Sequence, residues 1–298
     1  MEVLKVHPRG YCYGVVDAIT LAKKIARDPE VPRPIFILGQ IVHNRHTVLE
    51  LEEFGIKTLD GGLRIELLDQ VPDGSTVIFT AHGISPAVKA KAEARGLRCY
   101  DATCPDVTKT HTLIKEKITE GFAIIYIGTK GHPEPEGAMG EAPPAKVALV
   151  TTIDDIDSLP FKSDEPIAIM TQTTLSQWDT QNIIEELLKK YPDAEVHNEI
   201  CMATQLRQEA AVKIAEEVDM VVVVGDRRSN NSNRLVEVVE KISHKPSVRV
   251  ESVDDLRREW FDGFQRIAVT AGSSTPSPIT RAVIQQLEAW GKTYQEHP

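Results

Sequence analysis

One order of features occurs three times along the chain, and each round begins at a cysteine that opens a helical stretch. The openings read Tyr11-Cys12-Tyr13-Gly14-Val15-Val16-Asp17, Thr103-Cys104-Pro105-Asp106-Val107-Thr108 and Ile200-Cys201-Met202-Ala203-Thr204, with the cysteines 92 and 97 residues apart. A strand-ending glycine follows each cysteine at 27, 24 and 24 residues (Gly39, Gly128, Gly225). A threonine that closes a later strand follows at 68, 67 and 69 (Thr80, Thr171, Thr270). Repeats near a hundred residues mean three small domains and not a solenoid. The expected units are 13–103, 104–200 and 201–290, with Cys12 at the start of the first and the termini 1–12 and 291–298 accessory. A length of 298 residues fits that division better than one simple core.

Each unit alternates apolar strand-sized runs with amphipathic helical stretches. Strands are expected at 35–38, 76–79 and 97–100, at 122–127, 147–150, 167–170 and 194–197, and at 220–224, 247–250 and 267–269. Helices are expected from the cysteines to Arg27, Glu120 and Glu217, and again toward Phe54, over 85–95, 176–190 and 276–290. Such alternation implies an α/β protein, each small domain a mainly parallel sheet flanked by helices. In these sheets functional loops lie at the carboxyl ends of the strands. Those ends hold the glycines, histidines, serines and threonines of this sequence.

A helix start offers unpaired N–H groups and a positive dipole end, which favour a thiolate over a thiol. Three cysteines in register therefore read as a three-thiolate metal site of Cys12, Cys104 and Cys201, against the plainer reading of each as a small buried hydrophobe. Structural zinc draws on C-x-x-C or H-x-x-x-H pairs and four ligands, and no such pairing occurs here. A 4Fe–4S cluster normally takes four cysteines, so three leave one iron an open position. Cys99 has no counterpart in the other units and lies inside a strand, so a core role is expected for it. The rival is a Cys99/Cys104 pair that closes a four-cysteine, purely electron-transferring cluster.

The strand-end loops carry His43, His82, His132, Thr173, Ser229, Asn231 and Ser274. Imidazoles, hydroxyl and amide groups and helix N-termini together make an anion pocket, and a diphosphate suits it because charge-assisted hydrogen bonds are the strong ones. Neither G-x-x-x-x-G-K-[ST] nor G-x-G-x-x-G is present. Glu134, two residues after His132, would hold its proton more readily beside such a pocket, as a general acid requires. Its plainer reading is an acid favoured by a helix N-terminus. The formal charge of −10 argues against a general nucleic-acid binder. The start lacks a secretory h-region, and the apolar runs are far short of a membrane span, so a cytoplasmic protein is expected, or a plastid one after removal of a transit peptide. Cysteines in a reducing compartment point to metal or catalytic work before disulfides.

At these residues the chain resembles the LytB family, the 4-hydroxy-3-methylbut-2-enyl diphosphate reductases of the methylerythritol phosphate route to isoprenoids. The resemblance runs from Arg9-Gly10-Tyr11-Cys12 to Thr270-Ala271-Gly272-Ser273-Ser274. It passes through Asp101-Ala102-Thr103-Cys104-Pro105, Gly131-His132-Pro133-Glu134, Thr171-Gln172-Thr173-Thr174-Leu175-Ser176 and Asn231-Ser232-Asn233-Arg234. It implies a trefoil of three pseudo-symmetric α/β domains around a central 4Fe–4S cluster held by Cys12, Cys104 and Cys201, with a 3Fe–4S form after loss of the iron that lacks a thiolate. It also implies substrate binding by His43, His82, His132, Thr173, Ser229, Asn231 and Ser274, and catalytic work by Glu134, Thr173 and His132. Asn230 joins the binding set where the family usually has a second serine, since an amide still donates. The implied reaction is reductive dehydroxylation to isopentenyl and dimethylallyl diphosphates, with the substrate hydroxyl on the open iron. Its electrons would come from a ferredoxin or flavodoxin, because no flavin or nicotinamide site is apparent. A non-redox hydro-lyase using the cluster as a Lewis acid, and a non-catalytic cluster- or zinc-binding anion sensor, stay open at this point.

Overall fold

The computed structural model describes residues 1–296 in backbone and the side chains of residues 1–291; the final part of the stretch 291–298, expected as accessory, lies outside the described residues. Twelve strands are present among the described residues: β1 (Glu2–Lys5), β2 (Ile35–Leu38), β3 (Ile56–Leu59), β4 (Thr76–Phe79), β5 (Arg98–Asp101), β6 (Ala123–Ile127), β7 (Val147–Val150), β8 (Ile167–Thr171), β9 (Glu195–His197), β10 (Met220–Val224), β11 (Ser247–Val250) and β12 (Arg266–Ala271). They form three four-stranded sheets, ordered β3-β2-β4-β5, β7-β6-β8-β9 and β11-β10-β12-β1. Every pairing is parallel. The α/β class and the three parallel sheets agree with the sequence reading. Residues 2–5 supply the fourth strand of the third sheet, pairing with β12 from Glu2↔Arg266 to Lys5↔Val269.

The helices are α1 (Tyr13–Arg27), α2 (Arg45–Glu53), α3 (Arg64–Leu67), α4 (Pro86–Ala94), α5 (Pro105–Thr119), α6 (Pro133–Met139), α7 (Gln177–Lys190), α8 (Met202–Ala215), α9 (Asn230–Ile242) and α10 (Ser277–Glu296). The start of α5 shows why the cysteines stand where they do. Cys104 takes an extended ψ of 137° before the helix, and Pro105 fills the first helical position, where a missing N–H is harmless. The central strands β2, β4, β6, β8 and β10 are buried along their whole length. Helices cover both faces, so these strands are near-continuous apolar runs. Each fully buried valine or isoleucine there contributes about 1.5–3 kcal/mol.

The chain divides into two compact units. The first comprises Met1–Tyr13, His43–His46 and Cys201–Pro298; the second comprises Gly14–Val42 and Thr47–Ile200. The first contains the β11-β10-β12-β1 sheet, with Val222, Val224, Ile267, Val269, Val283 and Leu287 in its core. The second contains the other two sheets, with separate cores around Leu38, Val77 and Phe79 and around Ile125, Ile169 and Leu187. No helix among the described residues is long and apolar enough to cross a membrane.

Candidate functional site

In the first unit, segment 9–12 lies along the end of β12. Gly10 donates its N–H to Ala271 O at 3.2 Å, and Cys12 donates to Ser273 O at 3.1 Å. These bonds fix the backbone of Cys12 one residue before α1. Cys201 caps α8: its carbonyl accepts from Thr204 N at 2.9 Å, and its Sγ lies 3.2 Å from Thr204 Oγ1. Thr204 Oγ1 in turn accepts from Asn231 Nδ2 at 2.9 Å, and Asn231 Oδ1 accepts from Ser273 N at 3.3 Å. A single amide therefore ties the cysteine-bearing helix to the strand-end loop.

Ser229 caps α9 by accepting from Ser232 N at 3.3 Å, and Asn230 is the first residue of that helix. Ser274 Oγ lies 3.3 Å from Ser229 Oγ and donates to the His43 carbonyl at 3.0 Å. Asp226, also buried, accepts from Arg45 N at 2.9 Å and from Arg228 N at 2.8 Å, which holds the chain just after His43. His43, Ser229, Asn231 and Ser274 are thus gathered in one unit with Cys12 and Cys201.

Sequence reasoning missed Arg207. It is 5% exposed and donates from one nitrogen to Ala203 O at 2.7 Å and from the other to Gly10 O at 2.7 Å and Tyr11 O at 3.3 Å. Burial lowers its pKa, and the sulfurs of Cys12 and Cys201 oppose that shift. A buried cation needs an anionic counterpart, and these two thiols supply it when deprotonated. The signal in the sequence was a lone arginine on the buried stripe of α8 with Thr204, Gln208 and Ala211.

In the second unit, Cys104 is held by its N–H on Ala81 O at 3.0 Å and by its carbonyl accepting from Thr108 N at 2.9 Å. A Cβ on Gly14 would overlap Cys104 Sγ, so the backbone of α1 passes directly against that sulfur. The loop after β4 turns at Gly83, whose φ of +76° favours glycine and whose Cβ would meet the His111 ring at 2.9 Å. Buried Arg64 donates to the Gly83 carbonyl and lies 3.4 Å from Thr80 Oγ1, pinning the loop that carries His82. The His82 and His132 rings stand edge to face with centroids 5.1 Å apart.

His132 caps α6, and its Nδ1 accepts from Glu134 N at 3.1 Å. Glu134 is 1% exposed; its Oε1 accepts from Thr173 N at 2.6 Å while its Oε2 has no hydrogen-bond partner. Burial pushes its pKa from 4.5 up to about 7, hydrogen bonds from Thr173 pull the other way, and Asp106 adds to the rise. Gln172, fully buried, locks the same loop: it accepts from Thr129 N at 2.8 Å and donates to Thr174 Oγ1 at 3.1 Å. His82, His132, Glu134 and Thr173 therefore form one constellation, with a carboxyl that titrates at about pH 7.

Donor chemistry separates the cysteines. Cys104 and Cys201 stand at the starts of helices of 15 and 14 residues, and Cys12 immediately precedes a third of 15. All three are partly accessible. Cys99 lies on β5 with its Sγ 3.5 Å from Leu97 O, packs against the core of its sheet, and has its pKa raised chiefly by burial. Helix-start thiols, two of them facing a buried guanidinium, fit an anionic iron–sulfur group; the Cys99 environment favours a thiol.

Comparison with known proteins gives one consistent answer. The family model described as LytB protein matches residues 3–288. The 4-hydroxy-3-methylbut-2-enyl diphosphate reductase of Symbiobacterium thermophilum is 55% identical over 296 residues, covering 99% of this chain and 100% of that protein. The reductase of Brevibacillus brevis is 56% identical over 288 residues, covering 97% and 92%. Among solved structures, the E-1-hydroxy-2-methyl-but-2-enyl-4-diphosphate reductase of Plasmodium falciparum superposes with a TM-score of 0.90 at 35% identity, covering 96% of this chain and 87% of that one.

Proposed function

The chain belongs to the LytB family, oxidoreductases whose reaction is the reductive dehydroxylation of 4-hydroxy-3-methylbut-2-enyl diphosphate, and from that premise we propose how its own residues divide the work. Cys12, Cys104 and Cys201 hold one 4Fe–4S cluster. When bound there, a cluster with three thiolates would supply Lewis-acid and electron-transfer chemistry at the substrate hydroxyl. The units 104–200 and 201–290 each contribute one cysteine and strand-end loops, and the unit 13–103 contributes the strand-end loops that follow Cys12 at its start. His43, His82, His132, Ser229, Asn230, Asn231 and Ser274 bind the diphosphate with imidazole, hydroxyl and amide donors, which match its oxygens without burying a cation beside every charge.

The reaction consumes two electrons and two protons, breaks the allylic C–O bond and releases water. Glu134 delivers protons as a neutral acid, relayed by the Thr173 hydroxyl, and His132 fixes the backbone of Glu134 through its N–H. The observation that carries this reading is the buried Glu134 carboxyl, its Oε1 on Thr173 and its pKa at about 7. A carboxylic acid near the operating pH is what general acid catalysis requires. Electrons come from a ferredoxin or flavodoxin, and the cytoplasm is the proposed compartment. The test is anaerobic turnover of the allylic diphosphate with and without dithionite, together with metal analysis. Iron, sulfide and reductant-dependent formation of isopentenyl and dimethylallyl diphosphates are expected; zinc without iron, or turnover without reductant, overturns the reading.

A further inference from the structure

The first unit carries a second charged feature, apart from the strand-end groups. Beside β1, segment 7–10 and the start of α10 is a cleft of about 450 Å³ whose lining includes Lys5, His7, Arg9, Thr280, Arg281 and Glu288. Three of these are cations and one is a carboxylate, in a chain of net charge −10. Glu288 is taken by Lys5 at 2.9 Å. Arg9 and Arg281 meet no carboxylate among the described residues: Arg9 donates to Val6 O at 2.7 Å and lies against the His7 ring. Thr280, 3% exposed in the first turn of α10, has a hydroxyl without a partner. The positive end of a 20-residue helix adds to the cations. Carboxylate or phosphate oxygens suit such a lining.

Position decides between them. Gly10 also lines the cleft, and Cys12 is two residues further on, a span of at most about 7 Å. The Gly10 carbonyl accepts from Arg207, whose guanidinium interacts electrostatically with the sulfurs of Cys12 and Cys201. None of the residues assigned to the diphosphate lines the cleft. We propose that the cleft is the dock of the electron donor, a small acidic one-electron carrier protein whose surface carboxylates pair with Arg9 and Arg281 beside Cys12. The proposal rests on the reductive reading above, since two visits by such a carrier supply the two electrons of one turnover and leave two oxidised carriers. A strongly acidic chain repels an acidic carrier except at a locally basic face, so charge steers the encounter to this cleft. A small free anion would satisfy the same side chains but gains nothing from lying next to a cysteine ligand.

The holoenzyme, Arg281→Glu, Arg9→Gln and the control Lys213→Glu, an exposed residue of α8 outside the cleft, are compared. Binding of a bacterial two-cluster ferredoxin and of a flavodoxin is measured by titration calorimetry across a salt series, and turnover is measured with each carrier and with dithionite. Arg281→Glu is expected to raise the carrier Kd about tenfold and to flatten its salt dependence. Arg9→Gln should follow in the same direction, and Lys213→Glu should leave the carrier Kd near wild type. Dithionite-driven turnover and cluster absorbance should match wild type in all three variants. Carrier affinity unmoved by Arg281→Glu, or weakened as much by Lys213→Glu, overturns the dock. So does loss of dithionite-driven turnover in Arg281→Glu, or stoichiometric uptake of inorganic diphosphate that Arg281→Glu abolishes while carrier affinity stays unchanged. Absence of dithionite-driven turnover in the wild type strikes the reductive reading instead, and the binding titrations then decide the dock by themselves.

Discussion

At the residue scale the proposed chemistry rests on two buried ionisable side chains, Glu134 and Arg207. Glu134 is raised to about 7 by desolvation against the pull of Thr173, so below that pH it is a neutral acid and above it a carboxylate. The dithionite-driven rate is expected to hold below pH 7 and to fall as pH rises through about 7. Glu134→Gln should lose about a hundredfold or more in kcat and lose that limb with it. The same shift acts on stability. A folded pKa above the unfolded value means the native state binds more protons, so this contribution is fully present below about 4.5 and is lost as pH rises through about 7. Urea unfolding should therefore show wild type losing stability relative to Glu134→Gln between pH 4.5 and 7; a constant difference over that window sinks the assignment. Arg207 is the complementary case, a buried cation for which the sulfurs of Cys12 and Cys201 are a counter-charge when deprotonated. Arg207→Met should lower iron content and visible absorbance with helicity retained. Arg207→Lys should recover part of both, because the charge remains while the fork that spans Ala203 and Gly10 is lost.

Elements differ in how far they can be read ahead of the structure, and α1 shows one limit. Its Gly14 leaves no room for a Cβ beside Cys104 Sγ. Gly14→Ala should displace that sulfur, with loss of visible absorbance and iron; an intact spectrum in a folded Gly14→Ala protein would show that the sulfur carries no ligand. Nothing in the sequence marks that contact, because residues 14 and 104 meet only after two elements have packed. The buried central strands were legible, since burial on both faces leaves a run such as Val221-Val222-Val223-Val224 with no polar alternative. Two edge strands were not: Glu2–Lys5 and Ile56–Leu59 mix charges with apolar residues and lack a clear period. Helix α9 was readable in principle from Leu235, Val238 and Val239 on one stripe, but its polar opening at Ser229 to Asn233 reads as a loop. Among the candidate site residues, the histidines and hydroxyl groups announce themselves by recurring at strand ends, and Glu134 by standing two residues after His132. Arg207 and Gln172 do not, because a single polar residue in a helix or loop has no pattern until its partners are known.

At the scale of the whole chain, the strand order of the repeat sets three cysteines apart from the fourth. Each sheet has the same order, with the strand after the cysteine-led helix inside, the next strand on one flank and the later strand on the other. The fourth place is filled by the strand that leads into a cysteine: β5 before Cys104, β9 before Cys201, and β1 before Cys12. The repeat thus closes on itself, with the N-terminal strand completing the third sheet, and the three sulfurs occupy equivalent places. Cys99 has no equivalent: it sits within β5, and burial holds it as a thiol. Equivalence predicts equal consequences. Cys12→Ser, Cys104→Ser and Cys201→Ser should each abolish visible absorbance and turnover, while Cys99→Ser keeps both, measured on anaerobically purified protein by absorbance, iron and sulfide analysis and dithionite-driven product formation. If Cys99→Ser lost the absorbance as fully as Cys104→Ser, the cluster would have four thiolates and no open iron. The substrate hydroxyl would then have nowhere to bind, and the work assigned to Glu134 and Thr173 would need a different electrophile.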